Sequence, residues 1–278
     1  MKLKFWQVDA FTDKALAGNP AAVVSLDAWL DDGLMQSIAS ENNLADTAFF
    51  VKTAPGAYDL RWFTPSAEVN LCGHATLASA DMIFRFLDST LQDVRFQTRS
   101  GELKVTRGSN GGNRMSMPSA SSESLVPPPG FAEKLAAALG TKGPQELHYS
   151  SKGGAGSGAL IAVWASPAEI KALKPNGDLE SVLLQVKAGS LIATAPGDGK
   201  PYDFVSRFFA PHLGILEDPV TGSAHTALTP FWAKRLGRKQ LKARQASARG
   251  GDLLCTDDGA RVILEGPCAL YLTGEIEV

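Results

Sequence analysis

The chain has 278 residues, 44% of them hydrophobic, and sets 27 Lys and Arg against 29 Asp and Glu. That length suits two modest cores, and the near balance of charge offers no field that would draw a polyanion, which argues against a nucleic-acid partner. Cys72, Cys255 and Cys268 are odd in number and lack CxxC spacing, so neither a disulfide framework nor a zinc finger is indicated and a reducing, cytoplasmic setting is expected. The chain has no apolar run of about 18 residues, so no membrane partner is expected either.

In chain order, KLKFWQVDAF, PAAVVSL, TAFFVK, YDLRWFT, VRFQTR and ELKVTR are short β-rich runs bounded by turn residues. Asp31 is placed to cap a helix over DDGLMQSIASENN, and a second helix is predicted from Gly73 to Leu87. Ser100-Gly101 reads as a hairpin turn. The Ser- and Pro-rich stretch from Ser119 to Gly130 has no periodicity and is the expected connection between two domains, 1–118 and 119–278. Beyond it, LHYS, GALIAVWA, SLIATAP, DFVSRFFA, GDLLCT, RVILEG and ALYLTGEIEV read as strands. FAEKLAAALG, SPAEIKAL and the segment from Ser223 to Leu236 read as helices. Strands outnumber helices without strict alternation, which predicts α+β with mostly antiparallel sheets.

One sentence is written twice. RWFTPSAEVNLCGHATLASA, from Arg61, is echoed by RFFAPHLGILEDPVTGSAHTALTPFWA, from Arg207. The first helix of the pair is small or apolar on nearly every face, so it should be buried, most simply inside a curled sheet in each half. Pro230 within the second predicts a kink or an early break.

Each echoed Gly opens a helix, where free amides and the dipole favour an anion. If a pseudo-twofold axis relates the halves, both helix starts face one cleft, and the amides of Gly73, Gly222 and Ser223 can hold a substrate carboxylate. A plainer alternative is that the glycines only permit close packing. Nearby polar residues are His74, Asp218, Ser223, His225 and, from ENNLADTAFF, Asp46. A histidine just inside a helix start is expected to be neutral.

Four ordered segments, DAFTDKALAGNPAAVV, ENNLADTAFF, RWFTPSAEVNLCGHATLASA and EDPVTGSAHTAL, resemble the phenazine-biosynthesis isomerase (PhzF-like) family of the diaminopimelate-epimerase superfamily. The resemblance spans essentially the whole chain. It implies two similar half-barrel domains, each a central helix wrapped by sheet, a cleft active site, no cofactor, and a homodimer. It also implies a proton shift on a small carboxylated substrate by one carboxylate. The family's catalytic segment, like NLSET, maps onto Asn43 to Thr47, which makes Asp46 the acid/base; Gly73 and His74 match its Gly-His, and Asp218 its second acidic residue. Asp46 stands for the usual Glu and Ala45 for the usual Ser, departures that keep a non-catalytic binding member as the alternative. Superfamily racemases use two thiols; Cys72 occupies the first place and Val220 is read as the second, so a two-base reaction lacks a partner and Cys72 is read as packed. Burial is expected to raise the Asp46 pKa.

The remaining signals are read as structural. The glycines of KGGAGSGALIAVW precede a strand, not a helix, and read as a flexible turn. The basic stretch from Lys234 to Gln245 reads as a solvated face. Asp46, His74, Asp218 and His225 are metal-ligand types without ligand spacing, so no metal is expected. Cys255 and Cys268 read as buried, and His148 and His212 receive no role.

Overall fold

The computed structural model describes residues 1–108, 111–153, 158–199 and 201–278. The strands of the first half are β1 (Lys2–Ala10), β2 (Asn19–Leu26), β3 (Asp46–Ala54), β4 (Ala57–Phe63), β5 (Glu68–Val69), β6 (Asp93–Thr98), β7 (Gly101–Arg107) and β8 (Asn113–Pro118). Among them lie α1 (Asp32–Asn42) and α2 (Gly73–Met82), the latter continued by a π-helical turn over Ile83–Leu87. There follow β9 (Glu123–Ser124), α3 (Phe131–Leu139), β10 (Glu146–Ser150), β11 (Ala159–Val163), α4 (Pro167–Ala172), α5 (Leu179–Leu184), β12 (Ser190–Pro196), β13 (Phe204–Ala210) and β14 (Ile215–Asp218). The chain ends with α6 (Gly222–Leu236), β15 (Gln240–Gln245), β16 (Gly251–Asp258), β17 (Arg261–Gly266) and β18 (Cys268–Glu277). The strands β5, β8, β9, β14 and β15 and the helix α5 were not predicted as elements. Four of the glycine-rich run's residues, 154–157, lie outside the described residues.

Two compact units divide the chain, Met1–Met117 with Leu264–Val278, and Pro118–Ile263. The second domain had been expected to run to the C-terminus; instead the last strand returns to the first unit. There β18 lies antiparallel to β1, from Cys268 opposite Ala10 to Glu277 opposite Lys2. Without it the outer ladder groups of β1 would form an unpaired edge.

The first unit's sheet alternates: β1 and β2 are antiparallel, β2 and β3 parallel, β3 and β4 antiparallel, β4 and β6 parallel, β6 and β7 antiparallel. The second repeats that plan with β10 to β13, β15 and β16. In each, the second parallel crossover carries the echoed helix, and a short strand, β5 or β14, folds back antiparallel on β4 or β13. The duplication is thus of whole domains, as the echo predicted. In the 99–100 turn, Thr98 pairs with Gly101, so Arg99 and Ser100 form the hairpin loop, one residue earlier than expected.

Nine of the ten residues of α2 are buried. The helix touches β18, β1, β2 and β3 as well as β7, so strands from well-separated places in the sheet close around it. The outer face is covered by α1, whose Met35, Ile38 and Ala39 pack with Val24 and Phe49; Asp31 Oδ1 caps this helix at Gly33 N, 2.8 Å. In the second unit α3 and α5 cover the corresponding layer.

The expected break at Pro230 does not occur, for α6 runs unbroken through it. A proline there cannot donate to the Thr226 carbonyl. That carbonyl accepts instead from the Ala120 amide at 3.1 Å, so the connecting segment supplies the bond the helix lacks.

Candidate active site

In the first unit the left-handed Asn43 (φ 48°) ends α1 and turns the chain so that Asp46 begins β3. Cys72, extended at φ −140° and ψ 108°, is the N-cap of α2, but its side chain does not cap the helix. Its thiol donates to Asp46 Oδ2 at 3.2 Å and lies 3.5 Å from His74 Nδ1. Asp46, Cys72 and His74 are only 9%, 7% and 5% exposed. The Asn19 Nδ2 group, 3.3 Å from His74 Nδ1, can only donate. With Asn19 so oriented, Nδ1 accepts and the ring proton is assigned to Nε2, which lies 3.7 Å from Asp46 Oδ2, beyond hydrogen-bond distance.

Burial pushes the His74 pKa down to about 4, with the Pro20 carbonyl acting the other way. The ring is neutral near pH 7, so its approach to Asp46 is not an ion pair. The expected neutrality holds, with burial as its largest cause.

The second unit repeats the device with different atoms. Thr221 is the N-cap of α6, extended and again without a side-chain cap. Its hydroxyl donates in a short bond to Asp218 Oδ2. Gly222 is buried and Ser223 half-buried at the helix start. The residue equivalent to Cys72 is therefore Thr221, not Val220 as expected, because both N-caps directly precede the echoed Gly. In each unit the N-cap donates to a carboxylate instead of the helix, which leaves the first-turn amides of α2 and α6 without a side-chain cap.

His225 is fully buried, its Nδ1 donates to the Thr221 carbonyl at 2.8 Å, and burial lowers its pKa to about 4. It serves the helix start from inside. Among the described residues, the metal-type grouping is Asp46, Cys72 and His74, with ligand atoms within 4.8 Å of one another; the grouping weighed and set aside from sequence was Asp46, His74, Asp218 and His225. Cys255 and Cys268 are buried, and burial holds both thiols protonated, Cys255 at about 12.

Sequence reasoning missed Asn19, Thr221 and Gln245 as members of these clusters. Asn19 is a polar residue opening the apolar run NPAAVVSL. Gln245 ends QLKARQ, whose buried positions alternate strictly, a strand signal hidden within a stretch read as solvated.

A duplicated sheet wrapped round a buried helix is the fold of the epimerase-like isomerases. A hydroxyproline epimerase from Agrobacterium vitis shares this fold at TM-score 0.62 and 9% identity, over 99% of this chain and 92% of that one. Closer matches give the family. The phenazine biosynthesis-like (PhzC-PhzF) family model matches residues 8–274. Two Pseudomonas aeruginosa proteins described as uncharacterized isomerases are 44% and 43% identical over 278 and 279 residues, each match covering the whole of both chains. The crystal structure of a PhzF-family phenazine biosynthesis protein from Enterococcus faecalis superposes at TM-score 0.89 with 39% identity, covering 100% of both chains. The chain belongs to the PhzC-PhzF family and is an isomerase.

Proposed function

We propose that this isomerase moves a proton within a small carboxylated substrate, with Asp46 as the single acid/base and no cofactor. The observation that carries the reading is the buried Asp46 carboxylate, held by the Cys72 thiol and faced by the neutral Nε2–H of His74. Asp46 takes a proton from a substrate carbon, becoming a carboxylic acid while the electron pair delocalises into the substrate. The same carboxylic acid, its proton partly exchanged with solvent, then protonates a second carbon on the same face, so no oxidant or reductant is needed. His74 donates to the developing anion, and Asp218 tunes the transfer. The amides of Gly73, Gly222 and Ser223 hold the substrate carboxylate, a reading supported by helix starts that no side chain caps. The homodimer implied by the family resemblance belongs to the same proposal, and light scattering tests it.

Turnover of trans-2,3-dihydro-3-hydroxyanthranilate in deuterated water tests the chemistry, using the native protein, Asp46→Asn and Asp46→Glu. Native turnover with deuterium at the receiving carbon, lost in Asp46→Asn, supports the reading. Turnover undiminished in Asp46→Asn overturns it. Activity in Asp46→Glu alone places the native substrate elsewhere among small carboxylates, since Asp is one methylene shorter than the Glu it replaces.

A further inference from the structure

We propose that Gln245 is a positioning residue that sets the Asp218 carboxylate through the Thr221 hydroxyl. The inference rests on the role given to Asp218 above. Gln245 is fully buried at the end of β15, and its carboxamide is used on both sides. Oε1 accepts from the Thr221 amide at 2.8 Å, while Nε2 donates to the Asp218 carbonyl at 2.7 Å and to Thr221 Oγ1 at 3.0 Å. Because Oγ1 accepts from Gln245, its proton is left to point at Asp218 Oδ2, where the short bond forms.

The amide orientation follows from its partners. Oε1 must meet the backbone N–H and Nε2 the carbonyl, so a flipped carboxamide would break both bonds at once. One neutral side chain therefore fixes the backbone on both sides of the turn into α6, Asp218 and Thr221, and the direction of the hydroxyl between them. Ser247 Oγ, two residues on, donates to the Pro219 carbonyl at 2.8 Å and ties the same turn to the same chain segment. A carboxylate keeps its proton affinity low while it accepts such a bond and raises it when the bond is lost.

The test reads the Asp218 carboxyl directly, by carbon NMR of Asp-labelled native protein, Gln245→Met, Thr221→Val and Thr221→Ser, with Asp218→Asn to assign the signal. Gln245→Met and Thr221→Val should each move the Asp218 titration upward, Thr221→Ser should not, and Gln245→Met combined with Thr221→Val should move it no further than either alone. An Asp218 titration untouched by Gln245→Met, or additive shifts in the double variant, would overturn the proposal. Should Gln245→Met fail to fold, the native protein still decides. The Gln245 side-chain amide signals must follow the Asp218 midpoint, and signals flat across that titration sink the idea. Where trans-2,3-dihydro-3-hydroxyanthranilate is turned over, Gln245→Met should lower kcat and leave KM in place. If that substrate is inert, the reading of the reaction is in question while the NMR result still decides the clamp.

Discussion

Arg207 grips Glu217 with a two-point fork, Nε to Oε1 at 2.6 Å and Nη2 to Oε2 at 2.9 Å, and lies 5.0 Å from the Phe209 ring centroid. The echoed arginine does the same: Arg61 forks onto Glu68 at 2.7 and 2.8 Å and lies 5.2 Å from Phe63. The repeated Arg-aromatic-Phe is therefore a clasp in each unit, fastening β4 to β5 and β13 to β14. Its third donor differs. Arg61 Nη1 reaches Asp32, whereas Arg207 Nη1 bonds the Ile170 and Leu173 carbonyls.

Removing the Arg207 guanidinium takes the fork from Glu217 and its donor from the Leu173 carbonyl, and leaves the Ile170 carbonyl with only the Leu173 amide at 3.4 Å. Arg207→Leu should lower stability to urea by about 3 kcal/mol, the low end for a broken buried pair because Glu217 is partly exposed. Arg207→Lys should recover only part, since an ammonium cannot make the fork. Full recovery by Lys would mean that charge alone matters at this position.

A proline in a helix interior ordinarily costs about 3 kcal/mol, so replacing it should stabilise. At Pro230 the Thr226 carbonyl already has the Ala120 amide. Pro230→Ala should therefore change the unfolding free energy measured in urea by less than about 1 kcal/mol, for a helical N–H gained there competes with a bond already made. A gain near 3 kcal/mol would show that the Ala120 bond does not compensate.

His74 and His225 are both held neutral by burial, at about 4. In the unfolded chain each titrates near 6.5, so between those values the unfolded state binds protons that the folded state refuses. Their neutral burial is without penalty above about pH 6.5, and stability falls as the pH drops towards 4 and then levels, by about 3 kcal/mol for each histidine. His225→Gln should flatten that descent by one histidine's share. Denaturation curves collected from pH 7 to pH 4 check it, and an equally steep descent in the variant would contradict a neutral His225.

Gly18 holds a left-handed φ of +63°, and a Cβ there would stand 2.3 Å from the Ala10 carbonyl oxygen. Gly18→Ala should cost about 3 kcal/mol, combining left-handed strain with a contact that the backbone must yield to. It also shifts Asn19, the donor to His74 Nδ1, so the imidazole nitrogen signals should change along with the urea midpoint. Unchanged signals in a folded variant would mean that Gly18 does not position Asn19.

Much of this protein was readable in its chain because the informative patterns are local. The alternation of KLKFWQVDAF, the cap at Asp31 and the all-round burial of GHATLASADM depend on residues a few places apart. The echo exposed the domain duplication, and the quoted segments supplied Asp46, His74 and Asp218 as the residues that the proposed reaction uses. The return of β18 to β1 was not readable, because strand pairing joins residues some 260 positions apart and an exposed edge has no sequence signature of its own. The basic character of KRLGRKQLKARQ concealed a strand whose inward residues include Gln245. Nor could spacing reveal that Cys72 and Thr221 turn from their helices to carboxylates, or that Ala120 completes α6 at Thr226. Composition and period determined which segments become helix or strand. Only the tertiary structure decided which donor meets which acceptor, since a hydrogen bond depends on a few tenths of an ångström between groups that the chain brings from far apart.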